Sequence, residues 1–183
     1  MPSPAAVPHR TLVIGGARSG KSAHAERIVA DGSDPVRYIA TARRHPGDDD
    51  FERRIAAHRE RRPPTWAVVE SADTALPDLL AAPAAPATLI DDLGTWLTVV
   101  IDDADAWDEP RGTIAAHAER LTSAVARYAG RLVIVTPEVG QGVVPATSSG
   151  RLFRDELGDL NQRIAAACDE VVLVVAGLPL PLK

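Results

Sequence analysis

A segment near the start of the chain has the residue types and the spacing needed to hold a chain of phosphates. Residues 15–22 read GGARSGKS and satisfy the pattern GxxxxGK[ST], in which backbone N–H groups and the start of a helix face phosphate oxygens. Lys21 would neutralise the β and γ oxygens, and the Ser22 hydroxyl would ligate Mg²⁺. The alternative is a glycine-rich turn that binds nothing. The apolar run TLVI before the segment and the stretch SAHAERIVA after it favour a nucleotide site.

A carboxylate is expected at the end of a second strand, where it can order the metal ion. The run TLIDD, residues 88–92, supplies Asp91 and Asp92. Because side chains alternate across a strand, only one of the two should face the phosphate loop. Asp91 directly follows the apolar pair and is the candidate. The alternative is that both aspartates cap a helix beginning near Thr95.

A basic segment, FERRIAAHRERRPP at residues 51–64, contains the histidine best suited to chemistry. On a helix, three guanidinium groups and one imidazole would share a face: Arg54, His58, Arg61 and Arg62. Guanidinium groups bind phosphate, and a neutral imidazole is a competent nucleophile toward phosphorus. The neighbouring arginines disfavour the charged imidazole. The alternative is an exposed charged face balanced by Glu52 and Glu60.

Strands and helices must position these residues, and the sequence predicts that the two alternate. Apolar, β-branched runs suit strands buried on both faces of a parallel sheet; they fall at residues 11–15, 36–40, 66–70, 88–92, 131–136 and 170–177. Helices with one apolar stripe are predicted at residues 20–31, 48–61, 111–129 and 150–167. Residues 77–88 are interpreted as a connection, because Pro83 and Pro86 interrupt any helix there. The expected class is α/β, with helices flanking a mostly parallel sheet.

Length and composition restrict the class of protein. A chain of 183 residues suits one domain, so we expect a flexible leader at residues 1–10 and a single P-loop nucleotide-binding catalytic domain at residues 11–183. A formal net charge of −5 provides no global positive field for nucleic acid. The single cysteine, Cys168, cannot form an internal disulfide. With no secretory signal and no apolar run of roughly 20 residues, we expect a soluble cytoplasmic protein without a membrane span or a nucleic-acid partner.

Several motifs, taken in order along the chain, resemble one family. They are GGARSGKS at 15–22, YIATA at 38–42, RIAAHRERRP at 54–63, LIDD…WL at 89–97, EVGQGVVP at 138–145 and FRDELGDLNQRIAAACDEVVLVVAGLPLPLK at 153–183. Together they resemble the bifunctional adenosylcobinamide kinase/adenosylcobinamide-phosphate guanylyltransferases of cobalamin biosynthesis. The resemblance covers nearly the whole chain after about Thr11, and the ordered set is much more specific than the phosphate loop alone.

The resemblance implies a RecA-type P-loop fold, a homotrimer, and two reactions on a corrinoid. In the first reaction, a nucleoside triphosphate, ATP or GTP, phosphorylates the aminopropanol hydroxyl of adenosylcobinamide. In the second, GMP passes from GTP to adenosylcobinamide phosphate through a GMP-histidine intermediate, and pyrophosphate is released. His58 matches the histidine that carries the GMP in the family.

The same matching implies a set of residues that contact the nucleotide. They are Gly15, Gly16, Ala17, Arg18, Ser19, Gly20, Lys21, Ser22, Thr41, Ala42, Arg43, Arg59, Glu60, Arg61, Arg62, Glu70 and Asp91. The expected catalytic residues are His58 and Lys21, and the expected Mg²⁺ ligands are Ser22 and Asp91.

The chain departs from the pattern of this family at three places. Asp92 stands where a cysteine is often seen, Pro137 replaces an asparagine before Glu138, and residues 146–150 read ATSSG in place of an acidic, asparagine-containing stretch. These departures concern contacts to the corrinoid more than contacts to the nucleotide.

Two other functions stay open on the residues alone. One is a P-loop small-molecule kinase without nucleotidyl transfer, for which His58 would be dispensable. The other is a regulatory nucleotide switch, which the lack of an NKxD-type guanine-reading motif disfavours.

Overall fold

One seven-stranded sheet organises the residues that the computed structural model describes, namely 9–31, 35–43, 63–71, 75–82 and 86–183. Its strands are β1 (His9–Gly15), β2 (Val36–Ala40), β3 (Ala67–Glu70), β4 (Ala87–Asp91), β5 (Arg131–Pro137), β6 (Glu170–Val175) and β7 (Leu178–Pro181). Their order across the sheet is β3-β2-β4-β5-β1-β6-β7. The first six are parallel and β7 runs antiparallel to β6. The predicted α/β class with a mostly parallel sheet is confirmed.

Helices cover both faces of this sheet. They are α1 (Lys21–Ala30), α2 (Leu76–Leu80), α3 (Leu93–Asp103), α4 (Ala115–Arg127) and α5 (Ser148–Ala167). Leu12 and Val13 are neighbours in β1 but belong to two separate hydrophobic clusters, because successive side chains of a strand point to opposite faces. α3, α4 and α5 pack in the first cluster and α1 in the second. Burial on both faces explains why β1, β2, β4, β5 and β6 appear in the sequence as apolar runs.

The six predicted strands are all present, each with its ends within two residues of the prediction. The predicted helices at 20–31, 111–129 and 150–167 correspond to α1, α4 and α5. The predicted helix at 48–61 lies outside the described residues. So do residues 1–8 of the predicted leader, whose last two residues belong to β1.

Three local expectations were wrong or incomplete. Residues 77–88 are not a plain connection, since α2 occupies the start of this segment and β4 begins at Ala87. Pro77 is tolerated because it lies in the first helical turn, where its missing N–H costs no hydrogen bond. A helix beginning near Thr95 was raised only as the alternative role of the two aspartates, whereas α3 begins at Leu93 with Asp92 as its N-cap. This helix is apolar around most of its circumference and lacks the stripe that marks a helix in the sequence. The predicted strand at 170–177 ends at Val175, and a turn through Ala176 and Gly177, both with positive φ, leads into β7.

Candidate nucleotide site

The phosphate loop lies between the end of β1 and the first turn of α1. Gly20 has a φ of 93°, and a Cβ added there would lie 3.2 Å from Gly177 Cα, so the position requires glycine. The β6–β7 turn supports the loop, because the Gly177 N–H donates to the Ser19 carbonyl at 2.8 Å. Lys21 folds back over the loop, and its Nζ donates to the Gly16 carbonyl at 3.3 Å. The ammonium group is therefore held at the loop.

Asp91, at the end of β4, lies against the start of α1. The Ser22 hydroxyl donates to Asp91 Oδ1 at 3.3 Å. The Tyr38 hydroxyl, on neighbouring β2, donates to Asp91 Oδ2 at 2.6 Å. Both oxygens of this carboxylate are therefore oriented by hydroxyl groups, one from the phosphate loop helix and one from the sheet. Of the two adjacent aspartates, Asp91 is the one that reaches the phosphate loop.

Asp92 serves a different purpose and caps helix α3. Its Oδ1 accepts from the Thr95 N–H at 2.9 Å, as an N-cap carboxylate does. Burial and the neighbouring Asp91 raise the pKa of Asp92, while the Thr95 N–H opposes that rise. The carboxyl group is thus committed to the helix start.

Of the contacts predicted after β2, Thr41 and Arg43 are engaged with other parts of the protein. Thr41 is fully buried, and its hydroxyl donates to the Asp92 carbonyl at 2.6 Å, which fixes the turn between β4 and α3. Ala42 is half-buried. The Arg43 guanidinium donates to both oxygens of Asp103 at 2.9 and 3.0 Å. A contact of these three residues with nucleotide stays a prediction.

Glu70 ends β3 at the edge of the sheet and is exposed. Four strand spacings separate β3 from β1, which amounts to about 19 Å. Because the carboxyl ends of parallel strands meet at one edge, Glu70 and the phosphate loop lie on the same edge, four strands apart. The predicted contact of Glu70 with nucleotide requires a ligand extended along that edge.

A cavity of about 560 Å³ opens above the phosphate loop. The loop, the end of β4 and the residues after β5 line it: Ala17, Arg18, Ser19, Gly20, Lys21, Ser22, Ala23, Asp91, Asp92, Pro137, Glu138 and Val139. No role was predicted from the sequence for Glu138 or for Tyr38. Glu138 carried the same signal as Asp91, an acidic residue at the carboxyl end of a buried parallel strand. Tyr38 carried a weaker signal, a phenol within an apolar strand, which needs a hydrogen-bond partner when buried.

His58 and the residues that follow it, Arg59, Glu60, Arg61 and Arg62, lie outside the described residues. Their contact with a nucleotide held by the phosphate loop therefore stays a prediction.

The residues beside the phosphate loop fit Mg²⁺ by their chemistry. A serine hydroxyl and a carboxylate meet at 3.3 Å, and oxygen ligands of this kind are those that Mg²⁺ prefers. Among the described residues no group of three or more histidine, cysteine, aspartate or glutamate side chains forms a metal cage. A site with few protein ligands is typical of Mg²⁺ that arrives with substrate phosphates.

The fold is similar to that of an ATPase of known structure. The chain superposes on an ATPase from the type III secretion system of pathogenic bacteria with a TM-score of 0.56 and 11% identity, covering 96% of this chain and 57% of the other. The sheet order, the flanking helices and the phosphate loop agree with a RecA-type P-loop fold.

The sequence shows the family to which the chain belongs. Residues 11–182 match the family described as cobinamide kinase / cobinamide phosphate guanyltransferase, or CobU. The chain belongs to the CobU family. It is 42% identical over 177 residues to the bifunctional adenosylcobalamin biosynthesis protein CobP of Pseudomonas aeruginosa, covering 95% of this chain and 97% of the relative. It is 41% identical over 182 residues to the protein CobU of Escherichia coli, covering 94% and 98%.

As a CobU-family enzyme, the chain is an adenosylcobinamide kinase and adenosylcobinamide-phosphate guanylyltransferase of cobalamin biosynthesis. The family resemblance stated from the motifs is confirmed. None of the helices in the described part of the chain has the length and apolar character to cross a bilayer.

Proposed function

We propose that both reactions of this CobU-family chain use one nucleotide site at the carboxyl edge of the sheet, within a single P-loop domain spanning residues 11–183. The observation that carries the proposal is the contact of Ser22 with Asp91 at 3.3 Å beside the phosphate loop. This contact joins the end of β4 to the start of α1. It provides a hydroxyl and a carboxylate where the phosphates of a bound nucleotide would end.

The phosphate loop would hold the triphosphate of GTP or ATP through its backbone N–H groups. Lys21 would balance charge that develops on the leaving phosphate oxygens. Ser22 and Asp91 would hold Mg²⁺, which when bound supplies positive charge to the phosphates. The remaining predicted contacts would position the nucleoside along the strand ends: Thr41, Ala42, Arg43, Arg59, Glu60, Arg61, Arg62 and Glu70.

For guanylyl transfer, the nucleophile would be His58. A ring nitrogen of His58 attacks the α-phosphorus of GTP, the P–N bond forms, and the α–β bridging P–O bond breaks to release pyrophosphate. The phosphate of adenosylcobinamide phosphate then attacks the same phosphorus, and the P–N bond breaks. Dividing the reaction in two avoids bringing an anionic acceptor and a whole triphosphate together.

Labelling tests the histidine intermediate. Incubation with GTP labelled at the α-phosphorus, followed by denaturation, should leave label on the protein that is labile in acid and stable in alkali. His58→Ala should abolish this label, while His117→Ala, on α4, should retain it as the matched control. Wild-type protein that acquires no label would contradict guanylyl transfer through histidine. The kinase reaction would then be the only one of the two left in the proposal.

Product analysis tests the two reactions themselves. Wild-type protein incubated with adenosylcobinamide and either ATP or GTP should yield adenosylcobinamide phosphate, and with GTP it should proceed to adenosylcobinamide-GDP, as seen by mass spectrometry. Nucleotide hydrolysis with no change in the corrinoid would contradict the proposal.

We further propose that the enzyme acts in the cytoplasm as a homotrimer, on a small corrinoid and not on nucleic acid. The net charge of −5 supports the last point, because it offers no general attraction for a polyanion. Light scattering should give three times the chain mass of 19.4 kDa, and a monomer at working concentration would contradict the trimer.

A further inference from the structure

The kinase reaction needs an acceptor for a proton, because the attacking group is an alcohol. As the new O–P bond forms, the hydroxyl proton must leave, and a positioned carboxylate often receives it in phosphoryl transfer. Three carboxylates line the cavity above the phosphate loop: Asp91, Asp92 and Glu138.

Two of these three carboxylates already have other partners. Both oxygens of Asp91 accept from hydroxyl groups, Ser22 on one side and Tyr38 on the other. The Asp92 carboxylate accepts from the Thr95 N–H at 2.9 Å and caps α3. Turning Asp91 toward an incoming alcohol would break a structural hydrogen bond, and the Asp92 side chain is fixed through Oδ1 at the start of α3.

Glu138 lies between the phosphate loop and Asp91 because of the strand order. β5 is inserted between β1 and β4, and its last residue, Pro137, is the register partner of Gly15. Glu138 therefore extends from the carboxyl edge directly beside the first residues of the phosphate loop. This is the crevice in which ligands of open α/β sheets bind.

The backbone around Glu138 is fixed from both sides. The Glu138 N–H donates to the Gly15 carbonyl at 3.0 Å. The Pro137 carbonyl accepts from Asn161 Nδ2 at 3.1 Å, and Asn161 Oδ1 in turn accepts from the buried Thr136 hydroxyl at 2.6 Å. A catalytic group needs a rigid support of this kind, since small displacements reduce the rate.

The side chain of Glu138 keeps one oxygen available. Oε1 accepts from the Gly140 N–H at 2.5 Å, which orients the carboxylate, while no hydrogen bond to Oε2 is found within the described part of the chain. The residue is half-exposed at the cavity. An oriented carboxylate with an open oxygen is suited to accept a hydrogen bond from a substrate hydroxyl.

We propose that Glu138 is the general base of the kinase reaction. Its carboxylate accepts the proton of the corrinoid alcohol while the alcohol oxygen bonds to the γ-phosphorus and the β–γ bridging P–O bond breaks, releasing the nucleoside diphosphate. The proposal rests on the kinase half of the proposed function. It assigns Glu138 no role in guanylyl transfer, because the acceptor there is a phosphate that is already ionised and has no proton to lose.

The two half-reactions are measured separately on the intact enzyme. Adenosylcobinamide is the acceptor for the kinase reaction, and adenosylcobinamide phosphate is the acceptor for guanylyl transfer. Glu138→Gln keeps an oxygen for the Gly140 N–H but is not basic, so the kinase kcat should fall by about 10² to 10⁴. The KM values should change by no more than about threefold, and guanylyl transfer to adenosylcobinamide phosphate should stay within about threefold of wild type, since these depend on binding and on His58. A kinase kcat within about threefold of wild type would overturn the proposal.

The substitution Glu138→Asp distinguishes a general base from a residue that only supports the loop. It keeps the carboxylate but shortens the side chain, whereas Glu138→Gln keeps the length and removes the basicity. The base role requires Glu138→Asp to be the faster kinase of the two, and the structural role requires the reverse order. Equal loss of both half-reactions in Glu138→Gln would also overturn the proposal. A wild-type enzyme that transfers GMP but never phosphorylates the alcohol would instead contradict the kinase half of the proposed function.

Discussion

At the residue scale, two adjacent aspartates perform separate tasks. Asp91 Oδ1 accepts from Ser22 at the phosphate loop, and Asp92 Oδ1 accepts from the Thr95 N–H at the start of α3. Asp91 is the last residue of β4 and Asp92 is the N-cap of α3, so the two carboxylates have different partners. One of them is thus available to a metal ion while the other secures the helix that follows.

Tyr38 controls the direction of the Asp91 carboxylate and allows a prediction for Mg²⁺. Tyr38→Phe removes the 2.6 Å hydrogen bond to Oδ2, so the carboxylate should lose its orientation toward Ser22. Hydrogen bonds to charged groups contribute about 1.5 to 3 kcal/mol, so we expect the Mg²⁺-dependent part of GTP affinity to fall about tenfold. Calorimetric titration of GTP with Mg²⁺ and with EDTA measures that part directly.

Tyr128→Phe is the matched control for this substitution. Its hydroxyl bonds to the Pro86 carbonyl at 2.6 Å and to Thr88 at 2.7 Å, near the amino end of β4 and away from the phosphate loop. It should lower stability without changing the Mg²⁺-dependent part of the affinity. Equal GTP affinities for Tyr38→Phe and wild type in the presence of Mg²⁺ would show that Tyr38 does not position Asp91.

The sequence allowed the prediction of some of these residues and not others, for physical reasons. The phosphate loop and Asp91 were predictable because a fixed spacing and a strand end mark them. Tyr38 was not, because its contact with Asp91 joins residues 53 positions apart on neighbouring strands. Glu138 shares the strand-end signal of Asp91, but only the sheet order shows that β5 lies between β1 and β4.

At the element scale, the start of α3 packs directly on the end of β5, which leads to Glu138. A Cβ added at Gly94 would lie 2.6 Å from Pro137 Cγ, and Asn161 holds the Pro137 carbonyl. Gly94→Ala should therefore destabilise the protein by about 1 to 3 kcal/mol through overpacking. This loss should exceed the gain of up to about 1 kcal/mol that alanine has over glycine in a helix.

Urea denaturation checks this prediction, with Gly158→Ala on α5 as the control. No heavy atom lies within 4 Å of a Cβ added at Gly158, so that substitution should raise the free energy of unfolding. A higher free energy of unfolding for Gly94→Ala than for wild type would contradict the prediction, because α3 would then move away from β5 without loss of stability.

An ion pair between β1 and the turn before β6 predicts a pH dependence of stability. Asp169 accepts from the Arg10 N–H at 2.8 Å and from Arg10 Nε at 2.9 Å, and these bonds lower the pKa of Asp169 to about 2. A carboxyl whose pKa falls on folding stabilises the protein above its ordinary pKa, near 4. That contribution is lost as the pH falls from about 4 to about 2.

The advantage of wild type over Asp169→Asn in urea denaturation should therefore be largest near neutral pH and shrink below pH 4. Asp78→Asn is the control, because the Asp78–Arg120 pair is exposed on both sides and such pairs contribute little. A difference between wild type and Asp169→Asn that does not vary with pH would contradict the role of the ion pair.

The elements themselves were predictable to different degrees. Strands buried on both faces give apolar runs, and α1, α4 and α5 give stripes, so the sequence marks both. Helix α3 is buried nearly all round, with seven of its eleven residues in the core, so it has no stripe to detect. β7 was missed because its sequence, LPLP, contains two prolines, which an edge strand tolerates but which argue against a strand in the sequence.

At the scale of the whole molecule, the single cysteine reports on global unfolding. Cys168 lies at the end of α5 with 2% of its surface exposed, and burial raises the pKa of its thiol to about 12. Because the thiolate is the reactive form, iodoacetamide at pH 8 should label the native protein only when it opens. Labelling should therefore follow the population of the unfolded state.

Nucleotide binding should slow this labelling, because a ligand that binds only the folded state stabilises it by mass action. GTP at 100 times its Kd adds about 2.7 kcal/mol, so labelling of Cys168 should slow about 100-fold. Mass spectrometry of the alkylated protein over time measures the rate, and Lys21→Ala, with weakened phosphate binding, should show little protection at the same GTP concentration. Labelling that GTP does not slow would mean that the end of α5 opens locally, without disrupting the phosphate loop.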